Sequence, residues 1–76
     1  MSAKEATSLA VKNAGGAIAL AARLGVTRQA VHKWIAGSQI PANRVCDVEF
    51  ISGVSRYDLR PDVFKRAEAV QREVTA

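Results

Sequence analysis

Seventy-six residues include one cysteine, one histidine, two prolines and four aromatic side chains. Cys46 alone cannot close an internal disulfide, and with His32 it supplies too few ligands for a zinc site. No apolar run approaches the roughly 20 residues that span a bilayer. The start, MSAKEATSLAVKNAGG, lacks an uninterrupted apolar core behind a basic lead, so no cleaved secretory signal is expected and the cytoplasm is the expected compartment. There is no glycine-rich phosphate cradle and no paired nucleophile and base. A chain this short also leaves little room for a pocket, so neither an enzyme, a cofactor nor a small-molecule substrate is expected.

Acidic residues are scarce in one half only. Residues 1–46 carry six basic side chains against Glu5 alone, a net +5; residues 47–76 carry five against six, a net −1. No acid stands between Glu5 and Asp47. A polyanion meeting the first half would find attraction without local repulsion. A solvated basic face is the other reading of such a pattern. The composition, 49% hydrophobic and 24% charged, is that of an ordinary globule, and a domain of this size buries about 60% of the surface its unfolded chain exposes.

Helical signals follow one another along the chain. Ser2 and Glu5 have the spacing of a capping box, which predicts a helix from about Ala3 with Ala6, Leu9, Ala10 and Asn13 on one side. The pair Gly15-Gly16 ends it. Ala17, Leu20, Ala21 and Leu24 mark a second amphipathic helix closed by Gly25. Thr27 is a good cap for a third, whose inner stripe is Val31, Trp34 and Ile35 and which Gly37 stops. Pro41 suits the start of a fourth, with Val45, Val48 and Ile51, flanked by Cys46 and Phe50, as a wide apolar face reaching Gly53. Ser55 and Asp58 repeat the capping spacing ahead of a short turn at residues 57–59, which must yield near Pro61. Val63 and Phe64 are expected to fold back on the core. A β-hairpin over VCDVEFISGVSRYDL is the competing reading, but it puts Asp47 and Glu49 on the same strand face as Val45 and Ile51 and would bury charge. The expected fold is thus all-α with five helices over residues 1–64. The tail, residues 65–76, is expected as a frayed helical extension or disorder.

Two short helices joined by LGVT form a helix-turn-helix, in which small Ala21 permits the crossing, Gly25 makes the turn, and Leu20, Leu24, Val26, Val31 and Trp34 anchor the second helix. From about Ala6 to Phe64 the chain resembles the Cro-type phage repressors and closely similar small bacterial regulators, some of them antitoxins. The resemblance is carried by ALAARLGVTRQAVHKWIAG, IPANRVCDVEFISG and SRYDLRPDVF. It implies a double-stranded DNA operator as partner, a homodimer on DNA, and base reading by the exposed turns of the recognition helix, at Arg28, Gln29, His32 and Lys33. Arginine pairs with guanine O6 and N7, glutamine with adenine N6 and N7, and lysine with guanine or a phosphate; His32 is as readily a plain surface side chain. Gly16 and Ala17, through backbone N–H groups at a helix start, and Thr27, Ser38, Gln39 and Arg44 are the expected phosphate contacts. Relatives commonly have glutamine where Ala17 stands, which leaves that side-chain contact out here. Arg44 has an alternative role in an ion pair with Asp47 or Glu49. Trp34, three residues from Val31, is assigned to the core rather than to stacking on single-stranded bases, and Cys46 is expected to be a small buried hydrophobe. A transcriptional repressor is the leading reading; an antitoxin that neutralises another protein and autoregulates its operon is the alternative.

Overall fold

Helix signals at the predicted positions become helices in a computed structural model of the chain, which describes residues 2–64. The expectation for the tail falls outside the described residues. The elements are α1 (Ala3–Asn13), α2 (Ala17–Leu24), α3 (Arg28–Lys33) running into a π-helical turn (Trp34–Ser38), α4 (Ala42–Ser52) and α5 (Arg56–Leu59). Among the described residues there is no strand: VCDVEFISGVSRYDL runs through α4, a short non-helical connection at residues 53–55 and α5, and the hairpin is excluded.

Local chemistry sets the boundaries. Ser2 Oγ accepts from the Glu5 N–H and the Glu5 carboxylate accepts from the Ser2 N–H, each at 3.1 Å, so two otherwise unpaired donors are satisfied at once. Those hydrogen bonds, the backbone one foremost, hold the Glu5 carboxyl below the usual glutamate range. Thr27 Oγ1 caps α3 by accepting from the Ala30 N–H at 3.2 Å. Gly25 closes α2 with φ 71°, ψ 30°, a left-handed conformation that costs a residue with a Cβ far more than it costs glycine. Ser55 Oγ accepts from the Tyr57 N–H, not from that of Asp58. Arg60, ahead of Pro61, leaves the helical region at φ −139°, ψ 72°.

The core is built from Ala6, Ala10 and Val11 of α1, Leu20, Ala21 and Leu24 of α2, Val31 and Trp34, Ile40, Val45 and Val48 of α4, then Val54 and Leu59. Three expectations are corrected here. On α1 the buried polar residue Thr7 and Val11 take the inner face, whereas Leu9 lies outside it; Thr7 Oγ1 donates to the Ala3 carbonyl at 2.8 Å, which satisfies the hydroxyl and lets it go inside. On α4 the inner stripe is Val45, Val48 and Ser52, so Cys46 is exposed and Phe50 is 90% exposed, while Ile51 is half-buried. Phe64 does pack against the core, but Val63 stays exposed.

Polar bonds tie the ends of the elements together. Asn13 Nδ2 donates to the Ser52 carbonyl at 3.1 Å, joining α1 to α4, and Arg60 Nη1 donates to the Ile40 carbonyl at 2.6 Å, joining the end of α5 to the segment that leads into α4. Glu49 accepts from the Arg56 backbone N–H at 2.8 Å and pairs with its guanidinium at 2.8 Å. The backbone bond first, then the side-chain bond, hold the Glu49 carboxyl below the ordinary range. The same guanidinium sits 5.7 Å from the Phe64 ring centroid, within cation–π range.

Candidate nucleic-acid interface

α2 and α3 pack closely against each other through Leu20, Ala21 and Leu24 on one side and Val31 on the other. With Val31 fully buried and Trp34 only 6% exposed, the helical period turns Arg28, Gln29, His32 and Lys33 outward, and all four are exposed. None of them forms a hydrogen bond or ion pair through its side chain among the described residues. Their donors therefore face solvent uncommitted, on a helix whose base is locked by the core.

The surroundings add charge of one sign. Glu5, the one acid in the first 46 residues, is engaged with Ser2, while Asp47, Glu49, Asp58 and Asp62 all follow α3 in sequence; Glu49 and Asp62 are paired with Arg56 and Arg60. Of the acids that follow, Glu49 and Asp62 are thereby neutralised, while Asp47 forms no ion pair among the described residues.

The six flanking positions divide. Ala17 offers a backbone N–H with no acceptor among the described residues, at the start of α2 where the helix dipole is positive. Gly16 does not: its N–H donates to the Val11 carbonyl at 2.9 Å to close α1, so the donation expected from Gly16 is already spent. Thr27 and Ser38 are exposed, with the Thr27 hydroxyl also serving as a cap. Arg44 is half-buried, and its Nη1 donates to the Leu24 carbonyl at 3.0 Å, capping the C-terminus of α2. It pairs with neither Asp47 nor Glu49: Glu49 is held by Arg56, and Arg44 is turned to the Leu24 carbonyl. The arginine expected at a phosphate thus also fixes α2 to α4.

Gln39 is the position whose conformation sequence reasoning missed. Its backbone sits at φ 67°, ψ 146°, a region occupied almost only by glycine and worth about 1–3 kcal/mol of strain elsewhere. It persists because the chain is fixed on both sides: Gly37, two residues before, turns it at φ 120°, and Ile40 is fully buried with its carbonyl bound by Arg60. The result is an exposed amide side chain held in the turn directly after the recognition helix.

Comparison with known proteins agrees with this fold. Residues 7–68 match the family described as bacterial toxin YdaS. The solved structure of the Cro protein from the putative prophage element Xfaso 1 of Xylella fastidiosa strain Ann-1 is 40% identical, with a TM-score of 0.75 over 80% of this chain and 97% of that one. No curated protein sequence matches the chain.

Proposed function

The chain belongs to the bacterial toxin YdaS family and has the fold of a Cro-type helix-turn-helix regulator, and from that premise we propose that it is a sequence-specific double-stranded DNA-binding repressor. α3 enters the major groove of an operator, Arg28 and Gln29 read base edges from its first turn, Lys33 and His32 follow one turn later, and two copies occupy two half-sites. Ala17, Thr27, Ser38, Gln39 and Arg44 contact flanking phosphates. Repression follows from occlusion of the promoter in the cytoplasm. Among the described residues, no helix is long and apolar enough to cross a membrane. The observation that carries the reading is the uncommitted exposed tetrad on a helix braced by α2, in a half of the chain with one acid. Residues 1–64 are proposed as the binding domain and 65–76 as its tail.

Competition binding to duplex DNA at several salt concentrations tests this. Each neutralised phosphate releases counterions and adds about 0.9 to the slope of log affinity against log salt, so a slope of several units is expected and one near zero refutes the reading. Gln29→Ala, which alters no charge, should cost about 1–3 kcal/mol on the preferred site and leave random duplex nearly unaffected. An unchanged ranking of sites would place specificity elsewhere.

A second reading has one specific support, the family's description as a toxin. The chain then acts within a toxin–antitoxin pair, as the harmful member or as the antitoxin that neutralises it, with DNA binding serving autoregulation. Induction of the chain with and without its genomic neighbour separates these roles: growth arrest relieved by the neighbour marks the harmful member, and relief of a neighbour's arrest marks the antitoxin.

A further inference from the structure

Trp34 is only 6% exposed, yet its indole N–H has no partner among the described residues. A nitrogen wholly shut away in that state would be a buried unsatisfied donor, and among the described residues there is none, so the N–H reaches solvent. Trp34 opens on a cleft of about 190 Å³ between the start of α1 and the turn after α3, lined also by Ala3, Lys4, Thr7, Gly37 and Gln39. Thr7 brings no free donor, because its hydroxyl is bonded to the Ala3 carbonyl at 2.8 Å. Lys4 does: it is exposed and forms no ion pair among the described residues. A fixed N–H inside, an ammonium at the edge and the Gln39 amide beside them thus surround one small space whose other walls are largely carbon.

We propose that this cleft seats one phosphate of the DNA backbone, with the Trp34 N–H and the Lys4 ammonium as donors and the attached sugar against the carbon wall. The proposal rests on the DNA-binding reading and adds to it two contacts outside the exposed face of α3. Position supports it. From Arg28 to Trp34 the helix rises about 9 Å, and the major groove is about 12 Å wide, so a helix whose first turn reads bases brings its far end to the strand that borders the groove. Charge supports it as well. No carboxylate lines the cleft, Glu5 beside Lys4 is turned to the Ser2 N–H at 3.1 Å, and the start of α1 contributes the positive end of a helix dipole.

Trp34 then has two duties that chemistry can separate. The ring fills the core, and phenylalanine keeps most of that; the N–H meets the phosphate, and phenylalanine has none. A hydrogen bond to an ionised acceptor is stronger than one between neutral groups, so its loss is measurable. A phosphate carries no sequence information, so the loss falls on every duplex alike. That pattern is the opposite of the one expected at Gln29.

Trp34 is the only tryptophan, so the isotope-labelled full chain gives a single indole N–H resonance in a nuclear magnetic resonance spectrum. Bound duplex should move that resonance, and excess inorganic phosphate without DNA should move it in the same direction. A resonance moved by duplex alone still supports the proposal, with the sugar as part of what is recognised. One moved by inorganic phosphate but not by bound duplex overturns it and leaves a site for a free anion. Trp34→Phe, its fold checked by urea unfolding, should bind preferred and random duplexes about tenfold more weakly and keep the ranking of sites. Lys4→Gln, at an exposed position that does not endanger the fold, should lower the slope of log affinity against log salt by about 0.9, whereas Lys12→Gln near the other end of α1 should leave it unchanged. A resonance indifferent to bound duplex, a folded Trp34→Phe that binds as the wild type does, or a slope that Lys4→Gln lowers no more than Lys12→Gln overturns the proposal. Failure of the DNA-binding reading looks different: the wild type itself then shows no salt slope.

Discussion

Replacing Trp34 by alanine tests the scaffold on which every site residue depends. The indole lies at the junction of α3 and the π-helical turn, where that turn packs against α1, and it lines a cleft together with Ala3, Lys4, Thr7, Gly37 and Gln39. It is 6% exposed, so truncation removes nearly all of a large buried ring and leaves a cavity that α1 and α3 can close only by moving. Such truncations cost about 3–5 kcal/mol. At about 0.05–0.15 kcal/mol per residue, a 76-residue domain has only about 4–11 kcal/mol of total stability, so much or all of it should disappear. Urea unfolding followed by far-ultraviolet circular dichroism is the assay, because Trp34 is the only tryptophan and its fluorescence goes with it. Trp34→Phe provides the comparison. No buried side-chain polar atom among the described residues lacks a partner and the indole nitrogen has none in the fold, so it meets water at the cleft and phenylalanine sacrifices no internal hydrogen bond. Its cost should be well below that of alanine. A Trp34→Ala domain within about 1 kcal/mol of the wild type would refute the reasoning and return the ring to the role of an exposed stacking surface.

Two further outcomes are expected. Gln39→Gly should stabilise the domain by about 1 kcal/mol by removing part of the strain at φ 67°, and should at the same time weaken duplex binding if the amide contacts a phosphate; urea unfolding and binding at fixed salt measure the two, and a destabilised variant refutes the strain assignment. Glu49 is held below the ordinary glutamate value of 4.5 mainly by the Arg56 backbone N–H, so as pH falls the unfolded chain takes up the proton first: its contribution is fully present above pH 4.5 and is lost as pH drops through the lower folded value. The melting-temperature gap between wild type and Glu49→Gln should therefore close between pH 7 and pH 3, and a gap that stays constant counts against the ion pair.

What the sequence makes legible here is whatever local chemistry decides. Ser2, Thr27 and Gly25 mark helix ends through caps and a left-handed turn, which need only a few neighbouring residues, and all three mark them correctly, whereas Gly37 breaks the helical conformation inside the π-helical turn that follows α3. The exposed tetrad on α3 follows from the period once Val31 and Trp34 are inside. Burial elsewhere depends on facts that periodicity does not contain. α4 has five apolar candidates within seven positions, Val45, Cys46, Val48, Phe50 and Ile51, more than one face can bury. Ser52 takes a place on the inner face because its hydroxyl donates to the Val48 carbonyl and accepts from the Val54 N–H. Ile40 stands alone in a turn, where no period exists to reveal it, yet it is fully buried. Gln39 carries no signal at all, since glycine or asparagine is the usual mark of a positive φ.

α2 is the element on which these observations converge. Its first residue offers an Ala17 N–H with no acceptor among the described residues, the helix packs on α3, and its last turn carries Arg23 and Leu24, with the Leu24 carbonyl held by Arg44 of α4. Eight residues span about 12 Å, so the end of α2 proposed to meet a phosphate and the end locked to α4 are joined by one rigid rod little longer than two turns. Two copies bound to half-sites one helical turn apart, about 34 Å, would place their α3 helices at that distance. Changes at Gln29 should therefore alter which bases are preferred and leave the preferred half-site spacing as it was, and a Gln29→Ala variant that keeps its base preference but changes its spacing refutes this division.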